Sequence, residues 1–183
     1  MSLLKLNLGC GSNKLAGWEN HDQDIDISKR LPWPDGSARF ILCEHCIEHI
    51  PWFSAILFLK ECHRVLAAEG IARIAVPSIE RIMRYGDSEY FKFAAKFNKA
   101  PSPYAAPTMR DAMSAILYCH GHQTAWTESL LYATIYYAGF NKVVISTPGW
   151  SNTEELQNVE GHHKIIGEHF NSIETVVIEG HKT

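Results

Sequence analysis

The sequence predicts an α/β protein in which helices cover a mostly parallel sheet. Short apolar runs typical of buried strands alternate with segments of helical periodicity along the chain, a pattern that favours this architecture. The first apolar run, Leu4–Leu8, leads directly into Gly9-Cys10-Gly11, and the next short run ends near the carboxylate of Asp22. A chain of 183 residues is suited to one domain with one core, so we predict a single domain over residues 1–183.

The elements follow from periodicity and from the residues that begin and end them. A broad apolar face predicts a helix from Trp52 to Leu66, with Gly70 as its stop. Thr108 with Asp111 resembles a capping box for a helix through about Tyr118, and Thr127 caps another that ends at Gly139. Strands are predicted at about residues 4–8, 18–21, 39–43, 71–76, 142–146 and 173–179.

Two segments interrupt the alternation of strands and helices. Residues 26–36 contain Pro32, Pro34 and an Asp-Gly pair, which predict a loop. Residues 79–123 contain a proline-rich stretch and no regular alternation. We interpret residues 79–123 as an insertion that forms a substrate lid over the edge of the sheet.

Composition excludes several classes of function. The hydrophobic fraction of 46% and the charged fraction of 20% are those of a soluble globular protein. No apolar run approaches the ~20 residues that span a bilayer, and no secretory signal begins the chain, so we expect a cytoplasmic protein. A net charge of -3 without a basic stripe makes a nucleic-acid partner unlikely. The five cysteines are odd in number and irregularly spaced, which indicates reduced thiols.

The first glycine turn predicts a nucleoside site. Gly9 and Gly11 allow the backbone to turn tightly after a buried strand, and a carboxylate after the next strand can accept hydrogen bonds from a ribose diol. Asp22 is our candidate, with Asp24 and Asp26 as competitors. The interval from Gly11 to Asp22 is too short for the phosphate-binding helix of a dinucleotide site, which disfavours a nicotinamide-dependent oxidoreductase.

Together, these motifs resemble those of class I S-adenosylmethionine-dependent methyltransferases, in particular the small type 11-like group. The resemblance covers about residues 4–78 and depends on the order and spacing of its parts more than on any single part. The matching stretches are Leu6 to Gly11, Gly17 to Asp22, Glu44 to Pro51, and Arg64 through Gly70 into Val76-Pro77. Weaker matches follow at Trp126-Thr127, Ala138 to Phe140 and Thr175 to Glu179.

The resemblance implies a Rossmann-like fold with seven strands, helices on both faces and one antiparallel strand near the C-terminus. It also implies S-adenosyl-L-methionine as cofactor and S-adenosyl-L-homocysteine as product. The resemblance implies that the glycine turn contacts the methionine part of the cofactor and that Asp22 binds the ribose. It also implies that the loop after Asp22 contacts the adenine and that residues after the next strand face the sulfonium region. The residues concerned are Asn7, Leu8, Gly9, Cys10, Gly11, Asp22, Asp26, Ile27 and Glu44.

The acceptor side is less specific. We predict a methyltransferase for a small-molecule or sugar-containing acceptor; the alternative is a non-catalytic S-adenosylmethionine-binding or scaffold protein. His45 is the candidate general base, since an imidazole titrates near neutral pH. His122, Tyr85 and Tyr104 are candidates for the substrate pocket.

We predict no metal site from the sequence. Cys43 and Cys46 have a metal-like spacing, and Cys62-His63 could complete a set, but we expect the two thiols to diverge because one ends a strand and the other begins a turn. A metal is also suggested by His120, His122, His162 and His163, although nothing in the sequence determines their mutual geometry.

Overall fold

The computed structural model describes residues 2–97 and 106–183, which fold around one twisted sheet. Among these residues the strands are Leu4–Leu8 (β1), Glu19–His21 (β2), Ala38–Glu44 (β3), Leu66–Pro77 (β4), Lys142–Ser146 (β5) and Thr175–His181 (β6). Their order across the sheet is β2-β1-β3-β4-β6-β5. The first four strands are parallel, and β6 runs antiparallel to both of its neighbours. The predicted class of sheet, with one antiparallel strand near the C-terminus, is confirmed.

The described residues contain six strands where the resemblance implied seven. No strand forms in the interval between β2 and β3. Asp22 and Asp26 each begin a turn there, accepting hydrogen bonds from the amides of Ile25 and Lys29. Pro32 and Pro34 follow, and proline cannot donate to a strand ladder. This interval is therefore a loop, and β2 is an edge strand.

Seven α-helices are present in the described residues. They are Trp52–Val65 (α1), Ile79–Tyr85 (α2), Ser88–Ala95 (α3), Met109–Tyr118 (α4), Glu128–Tyr137 (α5), His163–Ile166 (α6) and Glu168–Glu174 (α7). Single 3-10 turns form at Ile47–His49 and Glu154–Leu156. The capping box at Thr108 and the cap at Thr127 are confirmed.

The end of α1 corrects our prediction that Gly70 stops this helix. Leu66 has extended dihedrals (φ -66°, ψ 138°), so strand β4 begins there and Gly70 lies inside it. The side chain of Lys182 donates hydrogen bonds to the carbonyls of His63 and Leu66, each at 2.7 Å. Carbonyls left unpaired at the end of the helix are thereby satisfied by a residue after β6.

The sheet buries a core on each face. On one face, α1 and α5 cover alternate side chains of the strands, among them Ile41, Cys43 and Ile74. The opposite face carries a smaller cluster in which Leu156 packs with Phe40 and Ile71. The two sets alternate along β3 and β4, as expected for strands whose successive side chains point to opposite faces.

A second apolar cluster forms outside the sheet. Helices α2, α3 and α4 pack with α7 through a set of buried side chains: Ile82, Tyr90, Ala94, Ala112, Ala115, Ile116 and Ile173. The described part of residues 79–123 is therefore held by its own small core.

One buried cation joins the C-terminal half of the sheet to the loop that covers it. Arg73 on β4 is fully buried and pairs with the carboxylates of Glu160 and Glu179, the latter at 2.6 Å. It also donates to the carbonyl of Thr147 at 3.1 Å. Because both carboxylates are almost completely buried, their charges depend on this guanidinium.

In the described parts of the chain, no helix has both the length and the apolar character needed to cross a membrane.

We expect Arg73→Leu to lower the free energy of unfolding by about 3–5 kcal/mol, because it leaves two buried carboxylates unpaired. Urea unfolding followed by circular dichroism measures this change. The triple variant Arg73→Leu, Glu160→Gln, Glu179→Gln is the matched control and should recover part of the loss. A single variant as stable as the wild type would contradict this account of the network.

Candidate functional site

A cavity of about 360 Å³ lies where the parallel strands end. The turn Gly9–Gly11 after β1, Glu44 and His45 at the end of β3, and Pro77 at the end of β4 line one side. Side chains of α3 and α4, including Tyr90 and Ile116, line the other side. Ligands of open α/β sheets bind outside the carboxyl ends of the strands. The cavity is therefore our candidate site.

The glycine turn needs glycine for two different reasons. Gly9 and Gly11 have φ values of +68° and +46°, which side chains rarely adopt. A Cβ atom at Gly9 would also overlap the side chain of Cys46, whereas one at Gly11 would meet only open space. Gly9 thus permits close packing of two turns, and Gly11 leaves room beside the cavity.

Three asparagines hold the glycine turn from behind. The buried Asn7 amide donates to the carbonyl of Asn13 at 2.8 Å and to the side-chain oxygen of Asn20 at 2.9 Å. Asn13 in turn donates to the carbonyl of Val159 at 2.8 Å. Asn7 and Leu8 are not among the described residues that line the cavity, so they support the shape of the turn. Cys10, also a predicted cofactor residue, does line it.

Glu44 links the end of β3 to the loop before α6. Its carboxylate accepts hydrogen bonds from the amides of Gly161 and His162, at 2.8 and 2.9 Å. Burial raises the pKa of Glu44, although these two hydrogen bonds act in the opposite direction. The residue lines the cavity as predicted, but both oxygens already have backbone donors.

His45 has a strained backbone and a defined orientation. Its φ is +46°, unusual for a residue with a side chain. Its Nε2 lies 2.9 Å from the hydroxyl of Thr175, which itself donates to Asn171 at 2.8 Å. The hydroxyl therefore accepts from His45, so that Nε2 carries the proton and Nδ1 is the free base. Burial, followed by the nearby His162, lowers the pKa of His45 well below its usual range.

A second histidine stacks on His45. The rings of His45 and His162 are 3.7 Å apart between centroids and almost parallel. The Nε2 atom of His162 lies 3.1 Å from a carboxylate oxygen of Glu174, whose other oxygen accepts from the hydroxyl of Tyr90 at 2.5 Å. Sequence reasoning missed Tyr90 and Glu174 as part of the site and considered His162 only as a possible metal ligand. They come from α3, α7 and the loop before α6, and no sequence motif connects them.

Glu48 was also missed as a site residue. It lines the cavity and its side chain is only 1% exposed. Burial raises the pKa of Glu48 well above its usual range. Buried acidic residues without a charged partner are rare, which makes Glu48 a candidate site residue. The burial that reveals this is visible in the structure but not in the sequence.

The predicted ribose and adenine residues lie on the loop after β2, outside the cavity lining. Asp24 pairs with the ring of His21 at 2.5 Å. Asp26 binds Ser28 and Lys29, and these contacts lower its pKa to about 2. The exposed Asp22 carboxylate accepts no hydrogen bond from any residue within 2–97 or 106–183. Of the three acids, Asp22 therefore has its carboxylate available.

Ile27 and the substrate candidates have different surroundings. Ile27 is buried in the main core, so only its backbone can approach a ligand. His122 lines the cavity, which keeps it a candidate for the substrate pocket. Tyr85 is half exposed and stacks against the guanidinium groups of Arg81 and Arg84, away from the cavity lining. Tyr104 lies outside the described residues.

The thiols of Cys43 and Cys46 converge, which corrects our expectation that they diverge. A hydrogen bond between them raises the pKa of Cys43 and lowers that of Cys46. The left-handed backbone of His45 turns the chain back at this point and brings the two side chains together. Both remain free thiols.

Comparison with known proteins assigns a class to this arrangement. A family model described as "Methyltransferase domain" matches residues 15–74, the part of the chain that contains β2, β3, α1 and most of β4. The match covers about a third of the chain.

Solved methyltransferase structures share the fold of this chain. A SAM-dependent methyltransferase from Archaeoglobus fulgidus has a TM-score of 0.57 at 16% identity, covering 98% of this chain and 86% of that chain. A SAM-dependent methyltransferase from Thermotoga maritima, described as a possible histamine N-methyltransferase, also has a TM-score of 0.57 at 16% identity, covering 100% and 84%. No curated protein matches the chain in sequence. The likeness establishes the class I methyltransferase fold.

Proposed function

We propose that this protein is a methyltransferase that transfers a methyl group from S-adenosyl-L-methionine to a small-molecule or sugar-containing acceptor in the 360 Å³ cavity. When bound, the donor supplies an electrophilic methyl group on a sulfonium sulfur that leaves as the thioether of S-adenosyl-L-homocysteine. The observation that carries the proposal is the continuity of the cavity from the glycine turn, Gly9–Gly11, to His122 under α4. The methionine end of the donor and the acceptor can therefore meet in one partly enclosed space.

The residues present fit this cofactor. The open space beside Gly11 admits the methionine part along the glycine turn. The free carboxylate of Asp22 suits a ribose diol, and the backbone around Asp26 and Ile27 suits the adenine ring. Asn7, Leu8 and Cys10 then act by holding the turn in shape.

The charge of the cavity supports a cationic donor and a non-polyanionic acceptor. Glu44 and Glu174 line it, and no lysine or arginine is among its described lining residues. Carboxylates in a partly enclosed site stabilise a sulfonium group and repel phosphates. A nucleic-acid acceptor is therefore not part of the proposal.

The size of the cavity supports a small acceptor. Pockets of roughly 300–1,000 Å³ are typical of small-molecule sites. Helices α3 and α4 form the wall opposite the glycine turn, in keeping with residues 79–123 as a substrate lid. Acceptors such as a hydroxyl- or amine-bearing metabolite or a sugar derivative match this space.

We assign the role of general base to His45. Its Nδ1 atom is free to take a proton from an acceptor hydroxyl, since Nε2–H donates to Thr175. Most of the acceleration comes from holding acceptor and methyl donor collinear, an effect worth up to ~7–11 kcal/mol.

We expect Asp22→Ala to weaken binding of S-adenosyl-L-methionine by about 10- to 100-fold, because a charged hydrogen-bond partner contributes roughly 1.5–3 kcal/mol. Isothermal titration calorimetry measures the affinity. Asp26→Ala is the matched control and should bind nearly normally, since its carboxylate is engaged with Ser28 and Lys29. If Asp22→Ala binds normally and the control does not, Asp26 carries the ribose.

We expect His45→Ala and His45→Asn to lower turnover by ~100-fold or more without changing cofactor affinity, because both lack the base. Asparagine tolerates the left-handed backbone at this position, so the pair separates strain from chemistry. Formation of S-adenosyl-L-homocysteine, with an acceptor found by screening hydroxyl, amine and sugar compounds, provides the readout.

His163→Ala is the control for the His45 variants, since His163 is not among the described lining residues. Normal turnover in His45→Asn would remove His45 from the mechanism. A wild-type protein that binds the donor but forms no S-adenosyl-L-homocysteine with any acceptor would instead favour the non-catalytic alternative.

A further inference from the structure

Three metal-ligating side chains meet at one edge of the cavity. Glu48 and His49 belong to the 3-10 turn Ile47–His49, and His122 comes from the loop after α4. One potential ligand atom from each lies within 4.8 Å of the other two. The distance from His49 Nε2 to Glu48 Oε1 is 3.9 Å.

The positions of these side chains are determined by a set of hydrogen bonds between the two segments. The carbonyl of Glu48 accepts from the amides of Gln123 and Thr124, at 2.7 and 3.1 Å. The side chain of Gln123 donates to the carbonyl of His49 at 2.7 Å, and that of Thr124 to the carbonyl of Ile50 at 2.7 Å. Four hydrogen bonds therefore hold the loop with His122 against the turn that carries the other two residues.

The Glu48 carboxylate lacks a partner. Its side chain is 1% exposed, and neither oxygen has a hydrogen bond from the described residues. Histidine nitrogens approach it at 3.6 Å from His45 and 3.9 Å from His49, both beyond hydrogen-bond distance. An unpaired buried carboxylate is costly, and an adjacent cation removes that cost.

The two imidazoles of the cluster lie beside each other. The rings of His49 and His122 meet edge to face, with their centroids 4.8 Å apart. Together with the distances to Glu48, this contact places all three side chains around one point.

We propose that Glu48, His49 and His122 bind a divalent transition-metal ion of the zinc class. Two imidazoles and one carboxylate are the ligand set of open zinc sites, which leave a fourth position for water or substrate. Bonds of about 2.0–2.1 Å in tetrahedral geometry separate ligand atoms by about 3.4 Å. Side-chain movements of about 1.5 Å or less therefore close the present cluster around an ion.

The neighbouring cluster is less suited to a metal. His45, His162 and Glu174 also lie within ligand distance of one another. Both oxygens of Glu174 already have partners in His162 and Tyr90, and His45 Nε2 bonds Thr175. In the proposed site, by contrast, the Glu48 carboxylate has no hydrogen-bond partner among the described residues. The side chain of His49 is 42% exposed, which leaves a path for the ion to enter.

Calorimetric titration of the chelator-stripped full chain with Zn²⁺, without donor or acceptor, tests the proposal. We expect one tight site in the wild type. Glu48→Gln and His122→Ala should each weaken it more than about 100-fold, because even second-shell changes cost roughly 10- to 100-fold. The controls His120→Ala and His162→Ala, which each remove another imidazole that lines the cavity, should bind Zn²⁺ normally.

Any other pattern of Zn²⁺ binding overturns the proposal. Examples are equal Zn²⁺ binding by all variants, or loss of Zn²⁺ binding in His162→Ala while His122→Ala still binds. Glu48→Gln is a close isostere, and a thermal melt of each apo variant shows that it is folded. Co²⁺ substitution provides a second readout, since a thiolate charge-transfer band would place the ion on cysteine and contradict the site. Because no methyl transfer is measured, failure here leaves the proposed function separately testable.

Discussion

The close packing of two turns at the carboxyl end of the sheet is the constraint on which the site depends. The turn after β1 lies directly against Cys46 in the turn after β3, and this contact requires a residue without a side chain at Gly9. Cys46 precedes the 3-10 turn Ile47–His49, so the contact also positions Glu48. The 3-10 turn also holds the loop that contains His122. One glycine thus determines the relation between the proposed cofactor region and the acceptor region.

Electrostatics explain why this arrangement suits methyl transfer. The described lining of the cavity offers carboxylates and imidazoles and no fixed positive charge. Burial keeps His45 neutral, while its contact with Thr175 leaves Nδ1 free to accept a proton. A site of this kind attracts a cationic donor and can accept a proton from a neutral acceptor. Its carboxylates and imidazoles are also the kinds of side chain that would bind the proposed divalent ion.

Much of the fold could be predicted from local sequence signals. The strand bounds Leu4–Leu8 and Lys142–Ser146 agree with prediction because apolar runs there are bounded by clear turn residues. The end of α1 could not be predicted, since Lys182, a residue distant in sequence, satisfies its last carbonyls. The described residues contain six strands where the resemblance implied seven. The prolines after β2 already indicated a loop in that interval.

The candidate site was less predictable. Residues of the contiguous motif, such as Gly9, Glu44 and His45, line the cavity. Glu174 and His162 were missed because tertiary packing alone brings them to the site. The convergence of Cys43 and Cys46 was missed because it depends on a left-handed residue, His45, that sequence does not indicate.

The most direct test is a crystal structure with S-adenosyl-L-homocysteine bound. The account predicts the methionine part along Gly9–Gly11, the ribose hydroxyls on Asp22, and the sulfur facing the cavity beside His45. A ligand that leaves the glycine turn uncovered, or whose sulfur points away from this cavity, would contradict it.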